Sequence, residues 1–272
     1  MKHVLKLFVL GVTVAMIASA AVAAEDEINI VGSTTVLPIA QITAEKFMDN
    51  NPDVSITVGG GGSSVGAKAL LAGTCDIANC SRPLKEKELA RAEDAGVDPV
   101  EHIVAMDGIA VIVHPTNPVD TITIDEIKAV YTGQTNNWNE LSDRKAQIVV
   151  ISRDSSSGTF EAFNKLALKK AKVRPDALLQ ASNKAVVQAV SQTPGAIGYI
   201  GMGYLNDSVK ALTVNGVEPT KQTVLSKEYP ISRPLYMYTD GQPAGVVDEY
   251  LAFVKSSQGQ NLAESQGFVG IE

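Results

Sequence analysis

Arg153-Asp154-Ser155-Ser156-Ser157-Gly158-Thr159-Phe160 joins two stretches of different period. Upstream, Ile148-Val149-Val150-Ile151 is a short apolar run of the kind that forms a buried strand. Downstream, Phe160, Phe163, Leu166 and Ala167 recur at helical spacing. A strand-to-helix turn leaves orphan backbone N–H groups at the helix start, where they and the helix dipole stabilise an anion. The hydroxyls of Ser157 and Thr159 add donors, and Gly158 permits close approach to the backbone. Arg153, at the strand end, can offer a bidentate and permanently charged fork. A helix N-cap beside a surface arginine is the plainer reading of this stretch taken alone.

Two similar turns lie upstream. Ile28-Asn29-Ile30-Val31 is a strand that runs into Gly32-Ser33-Thr34-Thr35, and a helix follows with Val36, Ala40, Ala44 and Phe47 on one face. Pro38 falls in its first turn, where a missing N–H is harmless. Val54, Ile56 and Val58 alternate with polar residues as a second strand. Gly59-Gly60-Gly61-Gly62-Ser63-Ser64 then reads as a glycine-hydroxyl turn, before a helix with Val65, Ala69 and Ala72 on one face and Gly73 as its C-cap. Asp76-Ile77-Ala78 is a short third strand ending in Asn79-Cys80-Ser81-Arg82-Pro83, and Lys85 to Ala95 is a charged helix that Gly96 stops.

Further along, Ile109 to Val113 has the continuous apolarity of a strand buried on both faces. Thr123-x-x-Glu126 is a capping box for a helix closed by Gly133, and Trp138 reads as a core anchor in a polar loop. Asn183 can cap a helix carrying Val186, Val187 and Val190. Gly195 to Ile200 and Pro234 to Tyr238 are late strands, and Val246 to Ser256 is a final helix. This alternation predicts an α/β fold with mainly parallel sheets. Ligands of such sheets sit at the strand C-terminal ends, where all three hydroxyl turns fall.

The 272 residues begin with a leader pattern. Lys2 and Lys6 form the positive region, Leu5 to Ile17 the apolar core, and Ala21-Val22-Ala23 or Val22-Ala23-Ala24 the small-residue cleavage site. A signal peptide over residues 1–24 and a periplasmic destination are expected; no Cys stands at the cleavage point to take a lipid anchor. Without the leader, 21 basic and 30 acidic residues remain, a net charge of −9. Such a chain is a poor partner for nucleic acid or an anionic membrane surface, so any anion site must be built locally. In an oxidising compartment Cys75 and Cys80 are expected to form a disulfide. Two buried thiols or a metal pair are the alternatives, the second weak without a nearby His.

Gly61, Gly66 and Lys68 lack the Gly-Lys-Ser/Thr ending of a P-loop, and the glycine run is out of register for a dinucleotide turn. Gly62-Ser63-Ser64-Val65-Gly66 does match a nucleophile elbow, so a secreted serine hydrolase is a rival reading. It needs an acid and a His base, and beyond the leader only His102 and His114 are available. What stands out is a set of donors without a base, nucleophile or metal cage: Thr34, Thr35, Ser63, Ser64, Ser81, Arg153, Ser157, Gly158 and Thr159. A tetrahedral oxyanion suits such a set. No enzyme activity and no cofactor are expected.

On these motifs the chain resembles the periplasmic phosphate-binding proteins that feed phosphate ABC transporters. The likeness runs from Gly32-Ser33-Thr34-Thr35 through Gly62-Ser63-Ser64 and Asp76 to Arg82, then through Asp107 to Val111, Arg153 to Phe160 and Gly195 to Tyr199. The Arg-x-x-x-Ser-Gly-Thr spacing is its most specific part. The resemblance implies a type II periplasmic binding protein fold, with two α/β lobes joined by two crossover strands. Residues 25–110 and 234–272 would form the first lobe, and residues 111–233 an inserted second lobe. It further implies inorganic phosphate clamped between the lobes, and a monomer docking to a membrane permease with its ATPase. Thr34 and Ser63 would be hydroxyl donors, Thr35 a backbone donor and Arg153 the charged donor. Ser64 would lie beside Ser63, and Ser157, Gly158 and Thr159 would complete the helix-terminus cradle. Some relatives have an Asp at the position of Ser81, where it accepts the proton that phosphate carries and sulfate lacks. Sulfate, molybdate or tungstate therefore stay open as alternative ligands.

Overall fold

The computed structural model describes residues 26–271, so the leader expected at 1–24 lies outside the described residues. In chain order the elements are β1 (Asp26–Gly32), α1 (Leu37–Asn50), β2 (Val54–Gly61), α2 (Ser63–Leu71), β3 (Ile77–Cys80), α3 (Glu86–Ala95), β4 (Pro99–Val113), β5 (Thr121–Ile122) and α4 (Ile124–Thr132). They continue with β6 (Val149–Arg153), α5 (Gly158–Leu166), β7 (Leu178–Gln180), α6 (Asn183–Ser191), β8 (Ala196–Gly201), β9 (Lys210–Ala211), β10 (Thr213–Val214), α7 (Lys221–Leu225), β11 (Ser232–Asp240), α8 (Gly245–Lys255) and α9 (Ser257–Ser265).

The strand order is β2-β1-β3-β11-β4-β8-β6-β7, with β9 also on β4. β1 pairs parallel with β2 and β3, while β6 pairs parallel with β7 and β8. Between these parallel halves run two antiparallel strands. β4 is 15 residues long. Its part from Pro99 to Gly108 pairs with β11, and its part from Ile109 to Val113 pairs with β8. One strand thus serves both sheets, and β11 returns beside it; these are the two crossovers of a two-lobed type II fold. Ile28, Phe47, Leu235 and Tyr250 belong to the core of the first lobe, and Val111, Trp138, Phe163 and Tyr199 to that of the second.

Local chemistry explains most boundaries. Thr123 and Glu126 form the predicted capping box of α4, and Gly133 ends it in the left-handed region at φ 81°. Gly96 does the same for α3 at φ 71°. Trp138 is fully buried, and its Nε1 donates to Gly195 O at 2.9 Å.

Four expectations need correction. Gly59 to Gly61 belong to β2, because Val31 and Gly32 of β1 pair with Gly59 and Gly61; only Gly62, at φ 100°, makes the turn. The buried face of α2 is Gly66, Ala67 and Leu70, while Val65 is 38% exposed. A Cβ on Gly66 would stand 2.6 Å from Val31 O, so the helix packs backbone to backbone on β1 and its smallest residues must face inward. Asn183 is the first residue of α6, and the cap is Ser182, whose hydroxyl accepts from Ala185 N at 3.1 Å. Finally, Cys75 and Cys80 are free, buried thiols and form no disulfide. Ile77 to Cys80 between them is extended strand at about 3.3 Å per residue, which carries Cys80 away, whereas a bridge needs Cα atoms within about 7 Å. Burial pushes the Cys75 thiol up to about 11 and the Cys80 thiol up to about 12.

Candidate anion site between the lobes

Turns from both lobes meet where β1, β2, β3 and β6 end. From the first lobe come Thr34 and Thr35 after β1, Ser63 at the start of α2 and Ser81 after β3. From the second come Arg153 at the end of β6 and Ser157, Gly158 and Thr159 at the start of α5. Stacking of Phe163 on Tyr199, with ring centroids 3.9 Å apart, holds α5 against β8. Tyr199 also accepts the Arg153 N–H at 3.1 Å, fixing the arginine backbone to the same anchor.

The two lobes touch through these groups. Thr35 Oγ1 and Thr159 Oγ1 are 2.7 Å apart. Ser64 N donates to Ser156 O at 3.0 Å, and Ser156 Oγ donates to Gly61 O at 2.9 Å. Gly158 lies so close to the first lobe that a Cβ would stand 2.2 Å from Ser63 Oγ and 2.6 Å from Ser81 Oγ. The pocket is therefore shut: all eight residues named above are buried, and Thr34 retains only 8% exposure.

Arg153 is buried at 2% exposure. Its Nε donates to Gln180 O at 2.9 Å, and its Nη2 to Ala181 O at 3.0 Å and Thr34 Oγ1 at 3.3 Å. Its Nη1 is buried and has no hydrogen-bond partner among the described residues. A buried charged donor without an acceptor is costly, and that nitrogen is available to an acceptor from outside the chain.

The surrounding N–H groups give the hydroxyls a direction. A guanidinium or amide N–H can only donate, so the hydroxyl oxygen it meets must accept. Asn183 Nδ2 donates to Thr35 Oγ1 at 3.1 Å and Thr34 Oγ1 at 3.3 Å, while its Oδ1 accepts from Gly201 N at 3.2 Å, which fixes the amide's orientation. Arg233 Nη2 donates to Thr159 Oγ1 at 3.0 Å. Ser157 Oγ accepts from Phe160 N at 3.1 Å as the α5 cap. The oxygens of Thr34 and Ser157 are thus occupied, and their protons are left to donate. Gly158 and Thr159, as the first residues of α5, add backbone N–H groups with no intrahelical acceptor.

Ser63 and Ser81 differ from the others. Ser63 Oγ accepts from Ser81 N at 3.0 Å, and the two hydroxyl oxygens are 3.3 Å apart. No carboxylate touches them among the described residues. Asp107 is spent on Arg233 and Met202 N, Asp154 on Ser156, and Asp76 on Asn29 N.

The structure turns two expected donors away: the Ser64 hydroxyl lies 3.0 Å from Arg82 Nη2, and the Thr35 N–H, expected as a backbone donor, donates to Ser33 Oγ at 3.1 Å, leaving the Thr35 hydroxyl to face the cleft. Neither histidine among the described residues serves Ser64: His102 bonds to Thr239 and His114 to Thr116. The nucleophile-elbow match therefore has no base beside it.

Sequence reasoning missed Asn183, Asp107 and Arg233 as site residues. Arg233 is 5% exposed and reaches Asp107 Oδ2 at 2.8 Å through Nη2, with its Nη1 on Ser81 O at 2.9 Å. Burial lowers the pKa of both Arg153 and Arg233; for Arg233, Asp107 opposes the fall. Complete burial raises the Asp107 pKa, and Arg233 opposes the rise. The available signal was a charge standing just before an apolar strand, at Asp107 and again at Arg233.

A profile of the PBP superfamily domain matches residues 18–258. The chain belongs to the PBP superfamily. Within it, this PBP chain is similar to the phosphate-binding protein PstS of Bacillus subtilis, at 36% identity over 253 residues, covering 91% of this chain and 82% of that protein. It is 34% identical to the PstS of Borreliella burgdorferi over 260 residues, covering 91% of each. Among solved structures it superposes on one described as a phosphate ABC transporter substrate-binding protein from Clostridium perfringens, with bound phosphate. There the TM-score is 0.85 and the identity 35%, over 91% of this chain and 100% of that one. An ABC-type phosphate transport receptor from Vibrio cholerae gives a TM-score of 0.74 at 31% identity, over 90% and 100% of the two chains.

Proposed function

We propose that this chain captures inorganic phosphate between its two lobes and delivers it to an ABC transporter, as the substrate-binding partner of a membrane permease and its ATPase. The observation that carries this reading is the free, buried Nη1 of Arg153 amid hydroxyls and the N-terminus of α5. A tetrahedral anion would accept from Arg153, from the hydroxyls of Thr34, Ser157 and the Thr35–Thr159 pair, and from the Gly158 and Thr159 N–H groups. Ser63 and Ser81 would complete the ring from the first lobe. The names of the relatives from Bacillus subtilis and Borreliella burgdorferi support phosphate as the ligand.

On this reading the chain acts as an exported monomer, secreted by its leader, and has no enzymatic turnover. Among the described residues no helix is long and apolar enough to cross a membrane. The Ser63–Ser81 pair favours a second reading, in which another oxyanion such as sulfate or molybdate is also held. A hydroxyl, unlike a carboxylate, does not demand a protonated ligand.

Titration calorimetry of the mature chain with phosphate, sulfate, molybdate and tungstate tests both. Phosphate is expected to bind at one site, with Arg153→Ala at least about tenfold weaker, since a charged hydrogen bond is worth about 1.5–3 kcal/mol. Arg153→Lys should also weaken binding, because an ammonium lacks the planar fork. No heat with phosphate, or unchanged affinity in both variants, would overturn the assignment.

A further inference from the structure

Arg82 follows Ser81 directly, yet its guanidinium faces carboxylates and not the anion cradle. Its Nη1 and Nη2 lie 2.8 Å from Glu88 Oε2 and Oε1, a bidentate pair within the first lobe. Glu88 is held in turn by Lys85 N at 2.9 Å, as part of the α3 capping box. The third nitrogen of the fork crosses to the other lobe: Arg82 Nε lies 2.9 Å from Glu161 Oε2 on α5, an ion pair by distance without hydrogen-bond alignment. The other oxygen of Glu161 pairs with Lys85 Nζ. Arg82 directly follows Ser81, and Glu161 stands two residues past Thr159, so this cluster brackets the anion site from both lobes.

Each half of the cluster is unbalanced alone. Arg82, Glu88 and Lys85 carry one excess positive charge, and Glu161 carries one negative charge. Closure neutralises both. Within this cluster, opening would leave Arg82 with Glu88 and break the contacts to Glu161, in addition to the hydroxyl and backbone contacts between the lobes described above. We propose that Glu161, gripped by Arg82 and Lys85, is a latch that holds the lobes shut over the bound anion and sets its release rate. Glu161 is a positioning residue, since the contacts described above give it none with the anion cradle. It is also an acid in the first turn of α5. A carboxylate there opposes a bound anion, so removing its charge should, without a latch, strengthen binding and slow release. The latch predicts the opposite sign.

The inference rests on the phosphate reading. The experiment uses the mature chain and inorganic phosphate. Association is followed by stopped flow, and release by chasing radiolabelled phosphate with unlabelled excess. In Glu161→Gln, release is expected to accelerate about tenfold, as for a partly buried pair, with association changed less than about twofold. Lys85→Gln, which removes only the outer contact, should give a smaller acceleration in the same direction. Added salt should speed release from the wild type more than from Glu161→Gln, because only the former has the ion pair to screen. Unchanged or slower release in Glu161→Gln, with wild-type binding intact, would overturn the latch alone. A wild type that takes up no phosphate would overturn the functional reading and the latch together.

Discussion

Arg153 and Ser81 pose opposite problems at the scale of the residue. Arg153 brings a fixed charge and a free donor nitrogen. Ser81 brings a hydroxyl that can rotate either to donate or to accept. Phosphate near neutral pH is a mixture of monoanion and dianion, and a carboxylate at position 81 would favour the protonated form and repel an oxygen without a proton. With serine there, phosphate affinity should change little between slightly acid and slightly alkaline pH. Sulfate should also compete more effectively with phosphate in the wild type than in Ser81→Asp. Titrating both proteins with both anions at two pH values checks this; a wild type that ignores excess sulfate would refute it. Arg153 was legible because it lies in a local motif whose spacing carries its own meaning, and Ser81 only as a hydroxyl at the end of a short strand. Arg233 was not, because its role depends on Asp107, 126 residues earlier, being its neighbour. Asn183 was legible only as a helix cap. Its contact with Thr35 spans 148 residues and needs the closed arrangement of the lobes.

Among the elements, α5 shows how a helix start can be tuned for closure and not for helix stability. Gly158 is its first residue and has no positive φ that would require glycine. Its backbone would accept alanine, which is the better helix former by about 1 kcal/mol within a helix. The constraint comes from across the cleft, where a Cβ would overlap the hydroxyls of Ser63 and Ser81. Gly158→Ala should therefore keep or slightly raise the melting temperature of phosphate-free protein, while phosphate affinity falls about a hundredfold, near 2.7 kcal/mol. Calorimetry and thermal unfolding on the same preparation would separate the two effects; a variant that binds normally would show that the lobes need not approach so closely. Element identity was largely legible, since capping boxes, terminal glycines and apolar period are local. The first half of β4 was not, because Glu101, His102 and Asp107 interrupt its apolar pattern. These residues are accommodated by pairing with β11, and Asp107 by its ion pair with Arg233.

For the molecule as a whole, stability must come from packing and closure without a covalent tie. Cys80 is completely buried, and its thiol is held protonated up to about 12 against an ordinary value of 9.0. A pKa raised in the folded state means that the unfolded chain loses its proton first. Stability is then intact below pH 9 and falls as pH rises toward about 12, each unit being worth about 1.4 kcal/mol. Cys80→Ala should flatten that alkaline decline in denaturant titrations; an equal slope in both proteins would assign the decline to other groups, such as the buried tyrosines. The two-lobed plan was visible through its resemblance, and the crossover strands only in part. One consequence of those strands concerns biosynthesis. β11 must find β4 across 126 residues, and Arg233 must find Ser81 across 152. The first lobe cannot complete its sheet until the last quarter of the chain has been made. Such long-range pairing makes folding slow, and for a chain proposed to cross a membrane in an extended state, that slowness is a working property. The shared strand that joins the lobes would also delay them, leaving more time for the proposed export before the cleft can form.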